Sequence, residues 1–321
     1  MKPSSLFDTP EAWRDAPLDA LDAWLTQADF GRRGKTGDPQ TLRASSQAVY
    51  RAMCRKLADG LGIPGRGWET VTPEDLHAFL AGQALRKETQ ARYLRLTERL
   101  FAHLVELGAV TTNPASRVAL TGAPKKQANE KTVWLSAGLE RQVIATLRAW
   151  PSMARGEPWK AQRDQALVAL ALGGGLRVGE IVGLTVSAIP TTLDNGTLRL
   201  TIGPCGAGRI HHTRVDAFAA ELVLTWLTVR KAQGIPGKVL FPSSRLGGPV
   251  HPATVYRRVA AILEASGIPD VSVKRRGART LRTTYALKAL STGESAALVG
   301  EYLGHRADRS TRYYTALVRN M

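Results

Sequence analysis

The apolar residues near the start of the chain recur at helical spacing. Leu42, Val49, Met53, Leu57 and Leu61 lie four or seven positions apart, with arginine and lysine side chains between them. This pattern predicts an amphipathic helix that buries these five residues and exposes its basic ones.

Two more helices are predicted to follow. Thr72, ahead of a proline and two acidic residues, has the pattern of a helix start with its N-cap. The next helix is predicted from about residue 87 to residue 107, with leucine and phenylalanine facing inward. Its outer side carries Arg92, Arg95 and Arg99.

The second part of the chain predicts more helices and one small sheet. An apolar helix over 164–172 ends at three consecutive glycines. Leu198, Leu200 and Ile202 alternate with polar residues as in a strand, and the glycines within 203–208 predict its turn. Further helices are predicted around 217–231, 253–265 and 280–290. The predicted fold class is therefore mainly α, with a small antiparallel sheet in the C-terminal domain.

A polar stretch divides the two parts. Asn113 and Pro114 end the last helix of the first part, and residues 121–131 have no apolar period. We therefore predict a helical domain over 1–120, a linker over 121–133 and a second domain over 134–321.

The charge balance predicts a polyanionic partner. The 321 residues include 44 Lys and Arg against 27 Asp and Glu, a net charge of +17. Nucleic acid and an acidic membrane surface both fit this charge. The sequence has neither a long apolar span nor a signal peptide, and its basic residues are spread along the whole chain, so we expect a cytoplasmic protein that binds nucleic acid and no membrane.

The cysteines and histidines predict neither disulfide nor metal. Cys54 and Cys205 are far apart in unlike contexts, and the histidines lack ligand spacing. A reducing cytoplasm is the simplest setting for such a chain.

Several basic residues are candidates for DNA binding. An ordinary solvated helix face is the alternative for each, but several such faces in one small domain favour contact with DNA phosphates. The candidates are Arg43, Arg51, Arg92, Arg95, Arg99, Lys125 and Lys126.

Four short segments of the second part carry residues suited to chemistry on a phosphodiester. They are residues 175–181 (GLRVGEI), 279–284 (RTLRTT), 303–305 (LGH) and 310–315 (STRYYT). In order and spacing they resemble the boxes of the tyrosine recombinase, or phage integrase, family, and Tyr314 lies nine positions after His305 as its nucleophile does. Each segment alone is weak evidence for the family, whereas four segments in the family's order and spacing are specific evidence. The resemblance spans most of 134–321.

The resemblance implies a site-specific DNA recombinase that cuts and rejoins strands through a covalent 3′-phosphotyrosyl bond to Tyr314. Arg177 and Arg282 would stabilise charge on the non-bridging oxygens, because guanidinium groups stay charged and offer a planar fork of donors. A salt bridge or a plain backbone contact is the alternative for each arginine. Glu180 would pair with an active-site cation, or be an exposed partner of Arg177 one helical turn away.

The remaining residues of the predicted site are candidates for proton transfer and for the nucleophile. A phenol has a pKa of about 10, and clustered positive charge favours its phenolate. His305 would donate a hydrogen bond to a non-bridging oxygen or share the proton of the attacking phenol, unless it is a structural histidine. Tyr313 is the competing nucleophile. A covalent intermediate conserves the energy that rejoining needs, so we expect no ATP and no metal.

Two positions depart from the family pattern. Arg279 stands where the family has histidine, and an arginine can donate but not accept a proton. The family also places a lysine between two strands, where it protonates the departing 5′ oxygen, but this chain has no lysine between Lys160 and Lys231. Arg209 is the nearest stand-in, and the imidazoles of His211 and His212 are further candidate proton donors.

The resemblance also implies an architecture and an assembly. We expect a two-domain C-shaped clamp around duplex DNA, with a Cre-like or Xer-like layout, and a homotetramer on two DNA sites with room for an accessory protein. Integration, excision and resolution of a mobile element or replicon are all compatible tasks. The alternatives are a DNA-binding relative that has lost activity, a type IB topoisomerase-like enzyme and a basic DNA-packaging protein.

Overall fold

The computed structural model describes residues 9–26, 42, 44–118, 133–154, 156–204, 210–268, 277–305 and 308–319. The chain divides into two compact units, Met1–Asn129 and Glu130–Met321. Apart from Val133, the predicted linker lies outside the described residues.

The described elements of the first unit are all helices or 3-10 turns. Thr72 caps the helix that follows it: its Oγ1 accepts from Asp75 N at 3.1 Å, while the Asp75 carboxylate accepts from Thr72 N at 2.9 Å. The predicted helix start is thereby confirmed. The helices are α1 (Pro10–Asp15), α2 (Pro17–Thr26), α3 (Ala44–Gly60), α4 (Ile63–Arg66), α5 (Pro73–Gly82) and α6 (Lys87–Glu106), with 3-10 turns at Trp68–Thr70 and Pro114–Arg117.

One predicted core position of α3 is wrong. Met53 and Leu57 are buried, but Val49 is 49% exposed. The side of α3 that packs inward includes Tyr50, and neighbouring residues of a helix point about 100° apart. Val49 therefore faces away from the core.

The second unit combines helices with a two-stranded sheet. Its strands are antiparallel, with Leu198 opposite Val215 and Ile202 opposite His211. The predicted fold class, mainly α with a small antiparallel sheet, is confirmed. The elements are α7 (Ala137–Met153), α8 (Pro158–Gly173), α9 (Val178–Gly183), β1 (Leu198–Ile202), β2 (His211–Val215), α10 (Ala217–Ala232), α11 (Pro252–Ala265), α12 (Ala278–Ser291), α13 (Ala296–Tyr302) and α14 (Asp308–Arg319), with a 3-10 turn at Val186–Ala188.

Helix α8 is the centre of this unit. Most of its residues are buried, and it packs against α7, α10, α11 and α12. The chain leaves α8 through Gly175, which has a φ of +62° and lies so close to the Tyr285 ring that a Cβ would be 2.5 Å from it. Only glycine fits this turn, which leads directly into Arg177.

Candidate active site

Arg177 is held at the start of α9 by Glu180. The Arg177 backbone N donates to Glu180 Oε2 at 2.7 Å, and its Nη1 donates to Oε1 at 2.5 Å. Glu180 is only 3% exposed, so it is a buried partner and not a surface one. The carboxylate thus caps α9 and orients the guanidinium of Arg177, whose side chain is 39% exposed.

Arg282 reaches the same carboxylate from α12. Its Nη1 donates to the carbonyl of Gly175 at 2.5 Å and lies 3.7 Å from Glu180 Oε2, while its Nη2 donates to the carbonyl of Leu303 at 2.5 Å. Burial, and then the charge of Arg177, lower the pKa of Arg282 to about 10. Arg282 therefore remains a cation at neutral pH.

The turn between α13 and α14 joins both arginines to the histidine. Its carbonyls at Leu303 and Gly304 accept from Arg282 and from Arg177, the second at 3.5 Å. Gly304 has a φ of +55°, and a Cβ there would be 2.5 Å from Nδ1 of His211. A side chain at Gly304 would therefore both strain the backbone and displace the imidazole of His211.

His305 lies between the arginines and the tyrosine. Its ring is stacked on that of Tyr314, with 5.9 Å between centroids and 10° between planes, and its Nδ1 is 2.9 Å from Thr311 Oγ1. Burial lowers the pKa of His305 to about 4, helped by Arg282, Arg177 and His211. The imidazole is therefore neutral at neutral pH.

The two adjacent tyrosines of α14 differ in their surroundings. Tyr314 stacks on His305 and packs against the small cluster that includes Tyr285, Val299 and Leu303. Tyr313 meets the Tyr314 ring edge-on at 5.8 Å. Among the described contacts, it is therefore the ring of Tyr314 that stacks on His305.

The structure brings together four of the predicted catalytic residues and their predicted support. The arginines Arg177 and Arg282, the imidazole of His305 and the phenol of Tyr314 come from the four segments found in the sequence, and Glu180 lies between the arginines. Two cations beside a phenol are suited to an anionic phosphoryl group and a phenolate nucleophile.

The other predicted catalytic residues are not all part of this cluster. Arg279 lies in the first turn of α12 with an exposed side chain, and Arg209 lies outside the described residues. His211 is buried and faces Gly304, whereas His212 is on the other face of β2, with its Nδ1 3.1 Å from Thr201 Oγ1. The two histidines therefore differ sharply in their access to the site.

The candidate DNA-binding residues of the first unit also differ. Arg51 donates through Nε to Asp22 at 2.9 Å, so part of its donor capacity is used within the unit. One side of α6 exposes Arg92, Arg95 and Arg99. Arg43, Lys125 and Lys126 lie outside the described residues.

Thr311 is a site residue that the sequence analysis missed. It lies three positions before Tyr314, so helical periodicity within the fourth segment places it on a neighbouring face. The contact with His305 depends on the turn between α13 and α14, which that periodicity does not specify.

The described part of the chain has neither a metal-binding cluster nor a membrane-spanning helix. There, no group of three or more His, Cys, Asp and Glu residues is placed to hold a metal ion. No described helix is both long and apolar enough to cross a bilayer.

Comparison with known proteins identifies the family. Residues 142–321 match the phage integrase family. The tyrosine recombinase XerD of Proteus mirabilis is 28% identical over 280 residues, which are 86% of this chain and 84% of that protein. The tyrosine recombinase XerC of Pelobacter propionicus is 30% identical over 254 residues, 77% of each chain.

Solved structures share the fold. The XerH site-specific recombinase bound to difH substrate in a pre-cleavage complex aligns with a TM-score of 0.66 at 18% identity, covering 97% of this chain and 95% of that one. A lambda integrase dimer bound to a COC′ core site aligns with a TM-score of 0.61 at 18% identity, covering 92% and 75%.

The chain therefore belongs to the phage integrase family. The resemblance drawn from its four segments is confirmed, and with it the prediction of a tyrosine-type site-specific DNA recombinase.

Proposed function

We propose that the protein cuts duplex DNA at a specific site by attack of the Tyr314 phenol oxygen on a phosphodiester. The phenol of Tyr314 gives its proton to water, the bond from its Oη to phosphorus forms, and the bond from phosphorus to the 5′ oxygen breaks as that oxygen takes up a proton. A 3′-phosphotyrosyl bond results, and a 5′ hydroxyl rejoins the strand by the reverse step. The stacking of Tyr314 on His305, beside two arginines, is the observation that carries this proposal.

The two arginines would stabilise the charge that develops on the non-bridging oxygens. One carboxylate, Glu180, serves both Arg177 and Arg282, so the three groups together retain one positive charge for the phosphate. Held in place by neighbouring carbonyls and Glu180, these cations need little reorganisation when the charge appears.

The departing 5′ oxygen needs a proton donor, and His211 is our first candidate in place of the missing lysine. His211 lies against Gly304, next to His305, whereas His212 contacts Thr201 on the opposite face of β2. Arginine is a very weak acid, which disfavours Arg209 and Arg279 for this step. The donors of Arg279 would instead contact phosphate.

Duplex DNA is the proposed substrate, held by both units. The XerH structure contains difH substrate, and the lambda integrase structure contains a core site. By analogy, the exposed arginines of α6 would contact phosphates. We further propose that four protomers act on two sites, with an accessory protein where the task requires one.

The nucleophile can be tested without knowing the target site. Nicked duplexes of randomised sequence, which trap the covalent intermediate, should yield a protein–DNA adduct on denaturing gels and enrich one sequence among the captured strands. Tyr314→Phe should abolish the adduct while DNA affinity stays within about twofold, because phosphate contacts supply most of the binding. Tyr313→Phe is the matched control and should retain the adduct.

Each other outcome contradicts a part of the proposal. An adduct that persists in Tyr314→Phe and disappears in Tyr313→Phe would mean that Tyr313, and not Tyr314, is the nucleophile. Adducts on all sequences alike would indicate a topoisomerase-like activity, and no adduct from the unmodified protein would indicate a relative that binds DNA without cutting it.

The proton donor can be tested with sulfur in place of the 5′ bridging oxygen at the cleaved position. A departing thiolate, with a pKa of about 8.5, needs little protonation, so sulfur should restore cleavage by a variant that lacks only the general acid. We expect rescue for His211→Ala and none for Arg177→Ala, with His212→Ala as the matched control. Rescue of Arg209→Ala or His212→Ala instead of His211→Ala would reassign the donor.

A further inference from the structure

His305 has two alternative roles at the proposed site, and its tautomer decides between them. A neutral imidazole has one N–H donor and one acceptor nitrogen. With the proton on Nε2 the ring can donate to a phosphate oxygen, and with the proton on Nδ1 its Nε2 can accept the phenol proton. The partner of Nδ1 therefore determines what Nε2 can do.

That partner is the hydroxyl of Thr311, 2.9 Å from Nδ1. Thr311 is only 5% exposed and lies on α14, one turn before Tyr314. A Cβ added at Gly300 would be 2.9 Å from Thr311 Oγ1, so the hydroxyl occupies the space that the missing side chain leaves. The backbone N of His305 donates to the carbonyl of Gly300 at 2.9 Å. Gly300 thus contacts both members of the pair.

The orientation of the two rings favours one role. His305 and Tyr314 are stacked with nearly parallel planes, and the lone pair of an imidazole nitrogen lies in the plane of its ring. Because the two planes are only 10° apart, this lone pair runs alongside the plane of the Tyr314 ring and does not point across to it. An acceptor Nε2 would thus be poorly aimed at Tyr314, whereas an Nε2–H can point to a phosphate beside the arginines.

We propose that Thr311 is a positioning residue that donates its hydroxyl hydrogen to Nδ1 of His305 and thereby keeps the ring proton on Nε2. His305 then donates to the phosphate and does not act as the base for Tyr314. This inference rests on the proposed function, because it assigns a role within that site.

The tautomer can be measured directly on the full chain without DNA. Two-dimensional ¹⁵N NMR of histidine-labelled protein separates protonated from unprotonated ring nitrogens, and the His305→Gln spectrum identifies the signals of His305. We expect a protonated Nε2 and an unprotonated Nδ1 at neutral pH. Thr311→Ser, which retains the hydroxyl, should give the same pattern, and Thr311→Val should lose it.

Cleavage provides the second readout. At saturating DNA, Thr311→Val should form the adduct roughly tenfold more slowly, the lower end of the loss found when the hydrogen-bond partner of a metal-binding histidine is removed. Thr311→Ser should restore most of the rate. Gly300→Ala should resemble Thr311→Val, because its methyl group displaces the hydroxyl. Gly183→Ala is the matched control, since a Cβ there meets no atom within 4 Å.

The two readouts separate failure of the inference from failure of the proposed function. A proton on Nδ1 in the unmodified protein would overturn the inference, as would full cleavage rates in both Thr311→Val and Gly300→Ala. If the unmodified protein formed no adduct at all, the proposed function would fail, while the NMR experiment would still report whether Thr311 fixes the tautomer.

Discussion

The two units of the chain differ in what they bury. Within the described residues, the buried polar side chain of the first unit is that of Thr97, which donates to the carbonyl of Tyr93. The rest of that core is apolar and includes the contacting rings of Trp13, Trp68 and Phe101. The second unit buries charged groups, including Glu180 and Arg282. Burial of charge is costly, so its location requires an explanation that an apolar core does not.

Two buried arginines of the second unit show that burial alone does not define a site. Arg163 donates to the carboxylate of Asp164 at 2.7 Å and to the carbonyl of Pro242, also at 2.7 Å. Arg282 is bound chiefly by neutral carbonyls and lies 3.7 Å from its carboxylate. Arg163 is thus paired directly with an anion, whereas the positive charge of Arg282 is less completely balanced. A charged ligand is expected at the second arginine.

The largest expected effect separates these two arginines. Arg163→Ala and Arg282→Ala should each lower the free energy of unfolding by about 3–5 kcal/mol, because each removes one cation from beside a buried acid and leaves buried carbonyl groups without that donor. Only Arg282→Ala should also slow adduct formation, by about 100-fold or more. Urea denaturation and single-turnover cleavage under folding conditions measure the two effects. Similar losses of cleavage in both variants would break the distinction.

An intermediate effect concerns pH and the histidine of the second unit. The pKa of His305 is about 4 in the folded chain against 6.5 for the free side chain. The neutral imidazole therefore contributes to the free energy of unfolding above pH 6.5, and this contribution is lost as the pH falls from 6.5 to 4. The loss is at most about 3 kcal/mol, reduced by solvent screening of the half-buried ring. His305→Gln should remove this part of the pH dependence of unfolding.

The first unit provides the contrast to that titration. There the Arg66 side chain lowers the pKa of Asp75 to about 2, so its contribution is lost only as pH falls from 3.8 to 2. An unchanged pH profile in His305→Gln between pH 6.5 and 4 would contradict the assignment to the second unit.

The smallest expected effect concerns the surface of the first unit. Arg95→Ala should weaken binding to duplex DNA modestly and make the slope of log K against log salt shallower by about 1, because one phosphate contact is lost. Arg51→Ala should change the slope less, since Arg51 is paired with Asp22. Fluorescence anisotropy over a range of salt concentrations measures both. A slope for the unmodified protein shallower than about −3 would argue against extensive contact with DNA phosphates.

The sequence predicted the helices and the four segments of the candidate site because both depend on local residue patterns. The apolar period of α6 and the cap at Thr72 depend on residues a few positions apart. The segment order likewise placed Arg177 and Tyr314 in one site, although they are 137 positions apart in the chain. Such a resemblance carries information on distant contacts that periodicity lacks.

Contacts made by the backbone were beyond prediction. The carbonyls of Leu303 and Gly304 accept hydrogen bonds from the two arginines, and the identities of the side chains at these positions do not reveal this. Nor could helical spacing reveal that Asp22 would pair with Arg51, 29 positions away, or that His211 would face Gly304. These contacts depend on how separate elements pack, which local spacing does not determine.

The position of the proposed nucleophile, Tyr314, on α14 has a consequence for synthesis of the protein. Helix α14 packs against α12 and α13, so Tyr314 joins a site whose arginines belong to elements that leave the ribosome earlier. Because domains form as the chain emerges from its N-terminal end, a growing chain has its basic surfaces before it has its nucleophile. Under the proposed function, a ribosome-bound intermediate would therefore bind DNA but would not break a strand until its last described helix has been made and has docked.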